Sequence, residues 1–117
     1  MKVYTYKACS TCRRATQWLS DHGYEFEELP IRQTPPSEEE LSQMLESYNG
    51  DIRRLFNTSG VDYREMGMKD KLPQLSRKEA FKLLRSNGNL VKRPFLLTQD
   101  FKTVGFKEAV WEKGLKA

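Results

Sequence analysis

With 117 residues and a mass of 13.7 kDa, the chain is read as a single domain, 1–117, too short for two independent cores. Hydrophobic residues make up 38% and charged residues 31%, a balance that permits a packed core and excludes disordered and collagen-like classes. The 20 Lys+Arg against 16 Asp+Glu leave a net charge of +4, too mild to mark a nucleic-acid binder, so no direct nucleic-acid contact is expected. No apolar run approaches the roughly 20 residues that cross a bilayer. Met1 to Lys7 has no apolar signal core, so a cytoplasmic protein without membrane contact is expected.

Val3-Tyr4-Thr5-Tyr6 is β-prone, and residues 2–6 read as a short buried strand. Ala15, Trp18, Leu19 and His22 then recur at helical spacing, and Gly23 supplies the left-handed residue that ends a helix. Tyr24 to Leu29 alternates in polarity and reads as a second strand stopped by Pro30. A helix between two neighbouring strands implies a parallel βαβ crossover.

The middle is helical. Ser37 and Glu40 form a capping box ahead of an apolar stripe of Leu41, Met44, Leu45 and Tyr48. Asn49-Gly50 breaks that helix, and Asp51 is placed to cap a short successor with Ile52, Leu55 and Phe56. Asn57-Thr58-Ser59-Gly60 is a turn. A second capping box, Ser76 with Glu79, opens a helix carrying Ala80, Phe81, Leu83 and Leu84 inward, stopped by Asn87-Gly88. Strands at Phe95–Thr98 and Lys102–Gly105 form a hairpin, and a last helix holds Ala109, Val110 and Trp111. The expectation is an α/β fold: a small mixed sheet flanked by helices, with a helical insertion over about 35–88 between strands two and three.

The chemistry concentrates at Cys9-Ser10-Thr11-Cys12. Two cysteines and one histidine are too few for a closed four-ligand zinc site or a disulfide scaffold, and no metal is expected. Cys9 falls where the first strand gives way to a helix, whose unpaired N–H groups and positive dipole end favour a thiolate over a thiol. Lys7, Arg13 and Arg14 add nearby positive charge. The C-x-x-C spacing lets Cys12, one turn in, reach back and resolve a mixed disulfide on Cys9. Ser10 and Thr11 would offer backbone N–H groups to an anion at the same helix start. Taken alone, the pair is equally compatible with two inert small residues or half a zinc site shared by two copies; the strand–C-x-x-C–helix context favours redox chemistry. Arg93-Pro94 precedes the third strand; a cis-proline there would bring backbone beside the thiol and set the Arg93 guanidinium near it. His22, next to Gly23, reads as a helix-end residue, and the Lys78, Lys82, Arg85 stripe as a solvated face.

Together, Tyr4 to Ala15 with its two cysteines, Asn57-Thr58-Ser59-Gly60 with Tyr63, Lys92-Arg93-Pro94-Phe95 and Val104 to Glu108 resemble the arsenate-reductase-like branch of the thioredoxin fold, which includes the Spx-type redox-sensing regulators. The resemblance implies a thioredoxin-like, glutaredoxin-like four-stranded mixed sheet. It also implies a thiol-dependent oxidoreductase with Cys9 as nucleophile, Cys12 resolving, Arg93 orienting an anion and Pro94 shaping the pocket. No bound cofactor is implied; glutathione, glutaredoxin or thioredoxin would serve as reductant. Reductases of this family hold their oxyanion with three arginines. Arg93 matches one, while the other two fall near Asn57 and Phe106, which carry no guanidinium, so efficient arsenate reduction is not expected. The regulator branch implies a Cys9–Cys12 switch and docking on the C-terminal domain of the RNA polymerase α subunit, with Gly50 and Arg93 at that surface. Those regulators carry a longer tail after the last helix, and the Asn57-Thr58-Ser59-Gly60 and Gly105-Phe106-Lys107-Glu108 stretches resemble the uncharacterised reductase-like subgroup more than the regulators.

Overall fold

Strand β1 (Lys2–Thr5) lies inside the sheet and must bury both of its faces. In the computed structural model, which describes residues 1–116, Val3 and Tyr4 do this by turning to opposite sides, as the pleat requires. Helix α1 (Ser10–Asp21) leads from β1 to β2 (Glu27–Pro30), which pairs in parallel with β1, Lys2 opposite Glu27 and Thr5 opposite Pro30. On the other side, β3 (Phe95–Leu97) runs antiparallel to β1, and β4 (Lys102–Val104) antiparallel to β3. The order β2-β1-β3-β4 is the mixed four-stranded sheet of a thioredoxin-like fold.

The second strand starts three residues later than its alternation suggests. Tyr24 still belongs to the end of α1: its N–H donates to Leu19 O at 3.0 Å and its ring lies 6.2 Å from Trp18. Pro30 does not stop β2 but ends it from within. Glu27 and Ile31 turn their N–H groups toward β1, so the proline nitrogen faces outward from this edge strand.

Between β2 and β3 lies the expected insertion: α2 (Glu38–Ser47), a 3-10 turn (Ile52–Leu55), α3 (Val61–Glu65), α4 (Met68–Lys71), a second 3-10 turn (Leu72–Gln74) and α5 (Arg77–Ser86). Both capping boxes form, Ser37 with Glu40 and Ser76 with Glu79. Glu40 does more than cap. It also accepts from Tyr4 Oη at 2.7 Å and Lys2 Nζ at 3.2 Å, fastening α2 to β1. Burial pulls its carboxyl upward, but the Ser37 N–H, the Tyr4 hydroxyl and Lys2 outweigh that and leave it below the usual range. Asp51, by contrast, makes no side-chain cap on the 3-10 turn. The brief helices α3 and α4, separated by Gly67 at φ +63°, are too short to leave a periodic signal.

Gly88 follows α5 for a different reason from a left-handed stop. A Cβ there would sit 2.0 Å from Ile31 O, so the residue is glycine because the backbone after β2 passes against it. Helix α6 (Glu108–Lys116) holds all three residues expected on the last helix; it buries Trp111 and leaves Ala109 and Val110 exposed.

The sheet divides the core into two. Tyr4, Phe95 and Leu97 meet the insertion through Leu41, Met44, Met68 and Phe81. Val3 and Leu96 meet α1 and α6 through Ala15, Leu19, Trp18 and Trp111. Met44 and Met68 are fully buried, consistent with packing roles. His22 caps α1: Nδ1 is 2.8 Å from Trp18 O and its ring stacks on the indole at 4.1 Å. Among the described residues, no helix is long and apolar enough to cross a membrane.

Candidate active site

Beyond Thr5, the chain turns once, with Cys9 N–H donating to Tyr6 O at 2.9 Å, and enters α1. Cys9 is the N-cap. Its backbone is extended, φ −88° and ψ 110°, and its Sγ accepts the Cys12 N–H at 3.1 Å. The sulfur therefore occupies the place that a serine or aspartate oxygen takes at ordinary helix starts. Cys9 is half-buried and Cys12, one turn in, is only 2% exposed; both are free thiols. Burial pushes the Cys12 thiol up to about 12, and its hydrogen bond to Cys9 adds to the shift, while the Tyr6 backbone and the Arg93 charge oppose it. Cys12 thus remains protonated at neutral pH behind a more accessible partner.

Cys9 opens into a cleft of about 1070 Å3 that also presents Ser10, Thr11 and Arg93. The Arg93–Pro94 bond is cis. Arg93 donates through Nη1 to Asn89 O at 3.1 Å and stacks its guanidinium over Tyr6, 5.3 Å from the ring centroid. Asn89 is itself tied down: its side chain and that of Asn87 both donate to Asp62 Oδ2, at 3.2 and 3.0 Å. Those two bonds, with the charges of Arg32 and Arg93, hold the Asp62 carboxyl below the usual range despite some burial.

Several placements differ from the sequence reading. Pro94 is buried and does not line the cleft; its carbonyl instead accepts from Gly105 N at 2.8 Å, fixing the two loops that do. Gly50, expected at a docking surface, is exposed and does not line the cleft, and its φ of +83° by itself accounts for the glycine. Of the three cations near the cysteines, only Arg14 faces the cleft, bonding Thr11 Oγ1 at 3.3 Å; Arg13 turns back onto Lys7 O. Asn57 and Phe106 both line the cleft, as their places in the motif imply.

The larger omission is charge. Arg53 and Arg54 from the 3-10 turn, Lys92 beside Arg93, Lys102 from β4 and Lys107 before α6 all join Arg14 and Arg93 around the cleft. One carboxylate, Asp51, accompanies these seven cations. The surplus inside the cleft exceeds the net +4 of the whole chain, so the rest of the surface is net acidic. The Arg53-Arg54 and Lys92-Arg93 doublets are visible in the sequence, but their convergence depends on tertiary pairing.

A thioredoxin-like sheet, a C-x-x-C pair at the first helix start and a cis-proline loop bearing an arginine define the class: an arsenate-reductase-like thiol protein. The chain belongs to the ArsC family, whose model matches residues 4–114. It is 46% identical over 113 residues to the uncharacterized protein YusI of Bacillus subtilis, covering 97% of this chain and 96% of that one. Global transcriptional regulator Spx 1 of Oceanobacillus iheyensis is 28% identical over 106 residues, 91% of this chain and 79% of the regulator. Among solved structures, a possible arsenate reductase from Streptococcus mutans UA159 superposes with a TM-score of 0.88 at 38% identity, covering 99% of this chain and 97% of the other.

Proposed function

We propose that the protein is a thiol–disulfide oxidoreductase in which Cys9 attacks and Cys12 resolves. The observation that carries this reading is the sulfur of Cys9 standing as the N-cap of α1, half-exposed in a cationic cleft and bonded to the N–H of a buried second thiol. The Cys9 thiolate attacks one sulfur of a substrate disulfide, forming a mixed disulfide and expelling the other half as a thiolate. Cys12 then gives up its proton to that departing thiolate or to solvent and attacks Cys9 Sγ. The second substrate thiolate leaves, and the protein holds a Cys9–Cys12 disulfide. Two electrons have passed from the protein to the substrate, and a small thiol such as glutathione, or a dithiol protein such as glutaredoxin or thioredoxin, restores the pair.

The high proton affinity of Cys12 suits this order, because a protonated, enclosed thiol leaves first attack to Cys9. Arg93, held by Tyr6 and Asn89, orients an anionic group of the substrate beside the mixed disulfide, with the Ser10 and Thr11 backbone at the helix start completing the anion contact. The test is turnover of a small disulfide followed by mass spectrometry. Cys9→Ser abolishes exchange, and Cys12→Ser stops it at a mixed disulfide on Cys9; full activity in either variant removes the mechanism.

A second reading, a redox-controlled regulator that docks on the C-terminal domain of RNA polymerase α, is favoured by the likeness to the Spx regulators. There Cys9–Cys12 acts only as a switch, with Gly50 and Arg93 at the contact. Pull-down against that domain, with and without dithiothreitol, separates the readings, since binding that depends on the redox state belongs to the regulator alone.

A further inference from the structure

The cations of the cleft come from five separate segments rather than one run. Arg14 stands on α1, Arg53 and Arg54 on the 3-10 turn, Lys92 and Arg93 ahead of β3, Lys102 on β4 and Lys107 ahead of α6. Backbone and side-chain contacts fasten the 3-10 turn, the Lys92-Arg93 loop and β4 to one another. An antiparallel bridge pairs Phe56 with Val91, and Lys92 N–H donates to Leu55 O at 2.8 Å, which sets the Arg53-Arg54 turn against the Lys92-Arg93 loop. Tyr48, at the end of α2, carries Arg54 over its ring at 4.7 Å. The same tyrosine's hydroxyl lies 3.1 Å from Thr103 Oγ1 and accepts the Val104 N–H at 3.0 Å, fastening that wall to the edge strand β4.

Such an arrangement is costly without a ligand, because like charges brought together repel. Among the described residues, none of the seven cations is in an ion pair; the three that exist, at Lys2, Arg85 and Lys116, lie elsewhere. A single compact anion at Cys9 would neutralise one or two of them. At about 1070 Å3 the cleft is slightly larger than the roughly 300–1,000 Å3 typical of small-ligand pockets.

We infer that the cationic lining of the cleft at Arg53, Arg54, Lys92 and Lys102 docks an acidic peptide segment of a partner protein and delivers that partner's sulfur to Cys9 in the same cleft. The role of the sulfur rests on the exchange proposed above; the docking does not. An acidic peptide fits better than single-stranded nucleic acid because the aromatic rings of the cleft are already engaged. Tyr48 is covered by Arg54, Tyr6 carries both Arg32 and Arg93, Phe56 and Trp111 are buried, and Phe101 and Phe106 pack against the core around Trp111. Base binding needs free ring faces, which these do not offer.

The probes are two cysteine peptides of equal length, one carrying five Glu and one carrying five Gln, each with thionitrobenzoate as the leaving group on its sulfur. Cys9 attacks the peptide sulfur, thionitrobenzoate departs and is read by its absorbance, and Cys12 releases the peptide thiol. At low salt the Glu probe reacts about tenfold or more faster than the Gln probe in the second-order rate constant of this single turnover, and the ratio shrinks as salt rises. In Arg53→Glu/Lys102→Glu the ratio falls to about one or below, whereas in Lys78→Glu/Lys82→Glu on α5 it stays within about twofold of the wild type. A ratio near one in the unaltered protein, or equal losses in both double variants, overturns the docking. If neither probe reacts, the exchange chemistry has failed, and anisotropy of the fluorescein-labelled Glu peptide on Cys9→Ser decides the docking alone. Binding lost on reversing Arg53 and Lys102 sustains it, and no binding refutes it. A thymidine oligonucleotide of equal charge that displaces the Glu peptide at lower concentration also overturns the assignment.

Discussion

Cys12 offers a prediction whose size follows from its surroundings. Only 2% of the residue is exposed, and burial followed by the hydrogen bond to Cys9 lifts its thiol from an ordinary 9.0 to about 12. Three pKa units reduce the thiolate about a thousandfold, leaving on the order of one molecule in 10⁵ ionised at pH 7. Iodoacetamide on the reduced native protein at pH 7, followed by peptide mapping, therefore places one adduct, on Cys9, and the second appears only in denaturant. The same shift acts on folding. The folded state holds the Cys12 proton more tightly than the unfolded chain, so this stabilisation is fully present below pH 9.0 and is lost as pH rises toward about 12. Urea denaturation of the reduced protein should show stability falling over that window, and Cys12→Ala should show a shallower fall. Native labelling of Cys12 within tenfold of Cys9, or identical alkaline profiles, would refute the placement of Cys12 behind Cys9.

Other consequences lie elsewhere in the fold. Gly88→Ala puts a methyl 2.0 Å from Ile31 O and 2.8 Å from Arg32 Cα, both backbone atoms that cannot swing aside, and should cost about 3 kcal/mol or more by denaturant titration, the upper range for overpacking. Glu40→Gln should lower stability by about 1–3 kcal/mol at pH 7, because charged hydrogen bonds to Ser37, Tyr4 and Lys2 are weakened. That difference is present above pH 4.5 and should close as pH falls through the depressed carboxyl value; a difference unchanged at pH 3 contradicts it. Asp62→Ala frees Asn87 and Asn89, the latter holding Arg93 through its carbonyl. It should raise KM for an anionic disulfide severalfold while sparing kcat and the rate of Cys9 alkylation, and a fall in alkylation rate would show a wider disturbance.

Much of this was legible in the chain. Ser37/Glu40 and Ser76/Glu79 announce their helices because a capping box is a local hydrogen-bond exchange that needs no tertiary help. The Cys9 N-cap is equally local: a strand, a short turn and a helix start within a dozen residues. What escaped is long-range. Tyr24 and Phe26 alternate like a strand, yet they pack around Trp18, because the end of α1 claims them first. Gly88 resembles any helix-stopping glycine until Ile31 is brought beside it. The cationic cleft is the sharpest case. Arg53 lies far from Lys92 and Lys102 in sequence, and tertiary contacts such as the Phe56–Val91 bridge, the Lys92 N–H to Leu55 O bond and the Tyr48 hydroxyl bring their segments together. A net charge of +4 averages that cleft with an otherwise acidic surface and so conceals it.

The central claim is that Cys9 attacks the substrate disulfide and Cys12 then attacks Cys9 Sγ to release the bound half. Trapping with oxidised glutathione tests it most directly: the reduced protein is mixed with the disulfide, quenched in acid and weighed intact. The account predicts that the wild type ends two hydrogens lighter with no adduct, that Cys12→Ser accumulates one glutathione on Cys9, and that Cys9→Ser gains none. A stable adduct on the wild type, or an adduct on Cys12 in Cys9→Ser at the wild-type rate, would contradict it.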